Sequence, residues 1–324
     1  MAEGRLGDPG VYVIAEAGLN HNGDIGLARE LISAASEAGA DAVKFQTFKT
    51  DLFLSSLVPD REQRRGLEFT EAQWSILASY ASEVGIDFIS TPLDHESLAL
   101  LLRLQVKAIK IASGDITNHA LLRDAARSGK TLLVSTGMAS LGEIEKALSV
   151  IREQAGADAD VVLLHCVSEY PAPEEHLNLR VLRTLQEAFK VRVGLSDHSL
   201  GTEVAPIAAT ALGASVIEKP FTLDKTLPGY DHHMSVTPDE FRQMVLRIRA
   251  TEAALGSGVK GHTEAERVRQ PKARRGLYWI RDYPAGQVVS EDMVISLRPV
   301  AGVGAEWIDA VTGCRLRRPV RAGE

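Results

Sequence analysis

Short apolar or β-branched runs recur through the first 255 residues, at 11–15, 42–45, 87–90, 108–111, 131–135, 161–165, 191–195 and 215–219. Between them lie alanine- and leucine-rich segments with helical periodicity, at 27–38, 71–84, 120–128, 143–153 and 177–188. The first pattern predicts buried strands and the second predicts amphipathic helices. Glycines such as Gly39 and Gly85 fall between a helical segment and the next strand, where a left-handed C-terminal cap is needed. Thr237-Pro238-Asp239-Glu240 opens a last helix reaching about residue 254, with threonine as cap and proline in its first turn.

Eight strands, each followed by a helix or a helix-sized crossover, predict a parallel sheet. An open doubly wound sheet is the other solution, but no G-x-G-x-x-G follows the first strand. Eight units in about 250 residues favour a closed (β/α)8 TIM barrel. This reading divides the chain into a barrel over 1–255, a polar and basic linker over 256–275, and a small, mostly-β domain over 276–324. Two stretches of that last domain, 281–286 and 318–323, share the pattern R-x-x-x-A-G, which points to an internal duplication. A unit of about 50 residues buries little surface by itself, so it is expected to pack on its own barrel or on a partner's.

Composition narrows the possible functions. The 324 residues carry 43 acidic and 36 basic side chains, a net charge of −7, with 45% hydrophobic and 24% charged positions. These fractions are those of an ordinary globular protein and exclude a disordered or fibrous one. The acidic balance argues against a dedicated nucleic-acid binder. No apolar run reaches the roughly 18 residues of a membrane span, and residues 1–10 lack the apolar core of a signal peptide. A cytoplasmic protein with reduced thiols at Cys166 and Cys314 is therefore expected.

In a barrel of this type the chemistry gathers at the C-terminal ends of the strands. Those ends carry Glu16, Lys44, Ser90-Thr91, Lys110, Ser135-Thr136, His165, Ser196-Asp197-His198 and Glu218-Lys219. Lysines in such positions are costly unless an anion or a carboxylate meets them. Lys44 and Gln46 share parity in V-K-F-Q-T and can point the same way. Lys110 leads into Ser113, Gly114 and Asp115, and S-T-G-M over 135–138 forms a second hydroxyl–glycine loop; both suit a phosphate. Lys44, Lys110 and Lys219 are thus expected around one pocket for a small anionic substrate. His198 is a candidate metal ligand or acid–base group, and of the adjacent His232 and His233 at most one is expected in a site.

Eight segments, in order along the barrel, carry a family resemblance. They are V-I-A-E-A-G-L-N-H-N-G (13–23), A-V-K-F-Q-T (42–47), F-I-S-T-P (88–92), K-I-A-S-G-D (110–115), V-S-T-G-M (134–138), L-L-H-C-V-S-E-Y-P-A-P (163–173), G-L-S-D-H-S-L-G (194–201) and P-G-Y-D-H-H-M-S-V-T-P-D-E-F (228–241). The chain resembles the sialic acid synthase (N-acetylneuraminate synthase) family, and its tail resembles the antifreeze-like SAF domain of those enzymes.

The resemblance implies a phosphoenolpyruvate-dependent sugar acid synthase, a transferase that condenses phosphoenolpyruvate with the aldehyde of an N-acetylated hexosamine. It implies a divalent metal, Mn2+ or Mg2+, and a domain-swapped homodimer. By motif position, Lys44, Thr91, Lys110, Ser113, Ser135 and Ser196 would hold phosphoenolpyruvate. Gln46, Tyr170 and Asp231 would face the sugar, Glu16, Asp115 and His198 would be catalytic, and His198 would bind the metal. Arg298 would reach the neighbouring subunit's site. The chain departs from the family pattern at Pro220, where a second metal-binding histidine is usual, and at Tyr230, Ser168 and Asp115. Two other readings start from the same residues: a Schiff-base aldolase using Lys110 or Lys219, and a retired barrel kept as a binding or scaffold protein.

Overall fold

A computed structural model describes Leu6 and residues 10–324. The remaining residues of the polar start, expected not to be a signal peptide, lie outside the described residues. The chain forms two compact units, Met1–Gly256 and Ser257–Glu324.

Eight parallel strands close the first unit into a barrel in sequence order. They are β1 (Tyr12–Gly18), β2 (Ala42–Thr47), β3 (Asp87–Pro92), β4 (Ala108–Ile111), β5 (Thr131–Ser135), β6 (Val161–His165), β7 (Arg192–Ser196) and β8 (Val216–Pro220). Several run further at their C-terminal ends than the apolar runs alone suggest, because the last positions are the polar ones of the site. Alternation decides what each strand offers. Ile14, Ala42, Ile89, Ala108, Leu133, Val162, Leu164 and Val216 meet inside the barrel as one buried cluster, and the polar residues two positions further along open above it.

The outer faces of the strands pack on the apolar stripes of the surrounding helices. Asp24 caps Ile25–Glu37, and Thr70 with Gln73, Ser140 with Glu143 and Thr237 with Glu240 form capping boxes on Glu71–Glu83, Leu141–Ala155 and Pro238–Leu255. The crossover after β2 is the longest departure from the simple repeat. It holds two short helices, Thr50–Phe53 and Arg61–Arg65, ahead of Glu71–Glu83.

In the second unit, β9 (Gly276–Trp279) and β10 (Val294–Leu297) pair antiparallel. The two R-x-x-x-A-G segments meet at their third positions, where Tyr283 and Val320 exchange backbone hydrogen bonds of 3.0 Å each. Tyr283, Val320 and Met293 form the small core of this unit. Within 256–275, expected to be a linker, residues Glu264–Ala273 form an exposed helix capped by Thr263. Among the described residues no helix is long and apolar enough to cross a membrane.

Candidate active site

A cavity of about 330 Å³ opens at the C-terminal end of the barrel. Its lining includes Glu16, Lys44, Gln46, Thr91, Lys110, Ser113, Ser135, Tyr170, Ser196, His198 and Asp231, which brings eleven motif residues into one place. Strand register assembles them: Glu16 pairs with Lys44, Gln46 with Thr91, and Ser196 with Glu218.

Glu218, expected only as one of the polar strand ends and given no role there, is the centre of the floor. Its Oε1 accepts a hydrogen bond from Ser196 at 2.8 Å and lies 3.6 Å from Lys110 Nζ, and its Oε2 is 3.9 Å from Lys44 Nζ. Lys44 also donates to Glu16 at 2.8 Å and to Thr91 at 3.3 Å. Burial by itself would raise the Glu218 carboxyl, but Lys110 and Lys44 outweigh it and hold it below the usual glutamate range. Burial likewise opposes charge on Lys44, yet Glu16 and Glu218 prevail and its ammonium titrates above the usual lysine range. For Lys110 burial wins, with Glu218 only partly offsetting it, so its affinity for a proton is reduced. An incoming anion would restore it.

The signal for Glu218 was parity. On β8 the side chains alternate, so a cavity position at 220 requires one at 218 and excludes 219. Lys219, expected in the pocket, faces the other way. It is fully buried and bonded to Asp197 at 2.7 Å and to the carbonyls of Ser199 and Gly201 at 2.6 and 2.7 Å. With these partners it is a structural ion pair and no Schiff-base nucleophile for the cavity.

The hydroxyl side of the cavity has spare bonding capacity. Ser135 Oγ, Ser168 Oγ and Glu218 Oε2 are buried without a hydrogen-bond partner, a state that a bound ligand would relieve. Ser113 accepts from the Gly137 amide at 3.0 Å and lies 3.1 Å from Cys166 Sγ. A Cβ at Gly137 would fall 2.3 Å from Ser168 Oγ and 2.8 Å from Ser113 Oγ, so only glycine lets these hydroxyls converge.

His198 donates from Nδ1 to the Val167 carbonyl at 2.7 Å, leaving Nε2 directed to the cavity, 3.4 Å from Ser196 Oγ. Burial lowers its pKa below the usual histidine range. Tyr170 packs over it with ring centroids 4.4 Å apart. Asp231 enters from the loop after β8, and burial, reinforced by Glu16, raises its carboxyl to about 6.

Asp115 does not join the lining. The Ser113–Asp115 turn points Ser113 inward, and the Asp115 carboxylate instead accepts from Asn118 at 3.2 Å. Neither adjacent histidine lines the cavity: His232 is buried between Thr222 Oγ1 at 2.6 Å and Asn22 Nδ2 at 3.1 Å, and His233 is exposed. His165 bonds the Leu177 carbonyl at 2.7 Å. Arg298 is an exposed residue of the second unit.

The NeuB family profile matches residues 31–260, and the SAF-domain profile matches residues 274–324. The chain belongs to the NeuB family. It is 43% identical to an uncharacterised protein of Methanocaldococcus jannaschii, over 96% of this chain and 91% of that one. It is 41% identical to the N,N'-diacetyllegionaminic acid synthase of Legionella pneumophila, over 96% and 92% of the two chains. The crystal structure of the N-acetylneuraminic acid (sialic acid) synthetase of Leptospira borgpetersenii, in complex with citrate, aligns with a TM-score of 0.74 at 37% identity. That alignment covers 80% of this chain and 90% of the other.

Pro220 lines the cavity at the position where the resemblance implies a second metal-binding histidine. Proline offers no side-chain donor. Among the described residues no group of three or more histidine, cysteine, aspartate or glutamate side chains is placed to hold a metal ion. The single free nitrogen of His198 does not make the two-histidine centre. The residues present therefore do not fit that two-histidine metal site.

Proposed function

We propose that this chain condenses phosphoenolpyruvate with the aldehyde of an N-acetylated amino-hexose, producing a nonulosonic acid and inorganic phosphate. The observation that carries this reading is the cavity floor. Two buried lysines flank one carboxylate, Glu218, beside the unpartnered hydroxyls of Ser135 and Ser168. The synthase names of the Legionella and Leptospira relatives support it.

Lys44, Lys110 and the hydroxyls of Thr91, Ser113, Ser135 and Ser196 hold the phosphate and carboxylate of phosphoenolpyruvate. Glu16 orients Lys44, while Gln46 and Tyr170 contact the sugar. C3 of phosphoenolpyruvate attacks the aldehyde carbon, and the aldehyde oxygen takes the proton of Asp231, whose raised pKa suits a donor near neutral pH. Water then adds to C2 and passes a proton to His198 Nε2. The bond from C2 to the phosphate oxygen breaks, the C2 hydroxyl passes its proton to the departing phosphate oxygen to give the ketone, and hydrogen phosphate leaves.

The second half of the proposal is a cytoplasmic homodimer in which Arg298 completes the neighbouring subunit's cavity. Its support is the exposure of Arg298 and the motif resemblance of the tail. Mixing inactive Arg298→Ala and Lys110→Ala subunits would restore activity if sites are shared; an inactive mixture that has exchanged subunits refutes sharing.

The acceptor test is phosphate release from phosphoenolpyruvate with N-acetylmannosamine, its 6-phosphate and a diacetamido-trideoxyhexose, with and without Mn2+ or Mg2+. Release with at least one acceptor is expected. No release with any of them refutes the reading.

A further inference from the structure

Asp231 reaches the cavity, yet the residue before it is built into a different structure. The Tyr230 hydroxyl donates to Asp60 Oδ2 at 3.0 Å, and Arg64 Nε donates to the same oxygen at 2.9 Å. The Arg64 guanidinium carbon lies 4.5 Å over the Tyr230 ring. Asp60 and Arg64 belong to the crossover after β2, where Asp60 immediately precedes the helix Arg61–Arg65. The Tyr230 ring also packs on the cluster of Leu19, Phe48 and Leu67, together with Leu93, a lining residue of the cavity. One side chain therefore ties the loop after β8 to the crossover after β2.

The rest of the loop is pinned from below. Asn22 donates to the Pro228 carbonyl at 2.8 Å, and the Ser235 hydroxyl donates to the Asp231 carbonyl at 2.6 Å. Gly229, at φ +153°, admits this path because a Cβ there would lie 2.6 Å from the His232 ring. The backbone of Asp231 is thus held on one flank by the turn around Ser235 and on the other by Tyr230.

The charged groups facing the Asp231 carboxyl come from four places: Glu16 on β1, Lys44 on β2, Arg64 on the crossover, and His233 in its own turn. Glu16 and Lys44 are fixed by the barrel. Arg64 is fixed by Asp60 and Tyr230.

We propose that Tyr230, Asp60 and Arg64 form a clamp that positions Asp231 for the acceptor aldehyde and holds the Arg64 guanidinium in place on the crossover. Tyr230 and Arg64 are positioning residues; neither lines the cavity. This rests on the reading of Asp231 as the acid of the condensation. A reacting group displaced by about 1 Å can lose about a hundredfold in rate, so a loop held at both flanks has a direct kinetic consequence.

Two variants separate positioning from folding. Tyr230→Phe keeps the ring and its packing but loses the bond to Asp60, and Arg64→Gln removes the cation. In Tyr230→Phe, kcat/KM for the acceptor should fall about tenfold or more, while KM for phosphoenolpyruvate stays within about twofold. In Arg64→Gln, the alkaline limb of the acceptor profile should move to higher pH, because a cation opposing the protonated form is gone. Two readouts need no turnover: the 13C titration of the Asp231 carboxyl, assigned with Asp231→Asn, and amide exchange over residues 229–235. The titration should move up in Arg64→Gln and the exchange should quicken in Tyr230→Phe. Kinetics, titration and exchange all matching the parent would overturn the clamp. If the parent releases no phosphate with any acceptor, the functional reading fails, and the titration and exchange still decide the clamp.

Discussion

Glu218 and Lys219 are neighbours on β8 whose side chains lie on opposite sides of the barrel wall. Glu218 faces inward between Lys44 and Lys110, and Lys219 faces outward onto Asp197. One charge lines the cavity and the other is closed in a buried ion pair, and phosphoenolpyruvate should affect their substitutions differently.

Glu218→Gln leaves two buried ammonium groups short of a carboxylate. Losing one partner of a buried pair costs about 3–5 kcal/mol, so thermal unfolding should shift well below the parent. Saturating phosphoenolpyruvate, whose anionic oxygens meet the same lysines, should recover part of that loss. A midpoint equal to the parent's, or one indifferent to phosphoenolpyruvate, contradicts this role.

Lys219→Met strands Asp197 in the interior and should also destabilise by about 3–5 kcal/mol. Protein that remains folded should keep the parent's KM for phosphoenolpyruvate. Borohydride treatment of the parent with pyruvate should leave Lys219 unmodified by mass spectrometry; an adduct on Lys219 would contradict its structural assignment.

The limits of sequence reading follow from the same parity. Eight apolar runs were enough to order β1–β8, because a strand buried on both faces announces itself by continuous hydrophobicity. Lys44, Lys110, Ser135 and His198 were legible as polar residues ending such runs. Lys219 was misplaced because proximity to a strand end was given more weight than the period of two, and Glu218, named at the same strand end, was left without a role for the same reason. Asp115 was carried by motif position alone, while its local turn aims the carboxylate at Asn118. The bond from Tyr230 to Asp60 joins residues 170 positions apart, and no local pattern encodes it.

Asp231 supplies a pH signature. Burial and Glu16 raise its carboxyl to about 6, so the proton it donates is progressively lost above that pH. Acceptor kcat/KM should fall as pH rises through this range, since that parameter reports the free enzyme. Asp231→Asn should lower activity and abolish the limb. Persistence of the limb in Asp231→Asn would assign it to another group.

Pro220→His tests the missing metal donor. Adding an imidazole beside His198 should tighten Mn2+ binding by about tenfold or more over the parent, as read by calorimetry. Equal affinities would show that residue 220 lies outside any metal shell.

The proposed condensation cleaves the bond between C2 and the bridging oxygen of phosphoenolpyruvate, and phosphoenolpyruvate labelled with 18O at that oxygen follows the cleavage. With a competent acceptor, the label should appear in the released phosphate, while the C2 oxygen of the sugar acid comes from solvent water. Label retained in the sugar acid, with unlabelled phosphate, would contradict the proposed route.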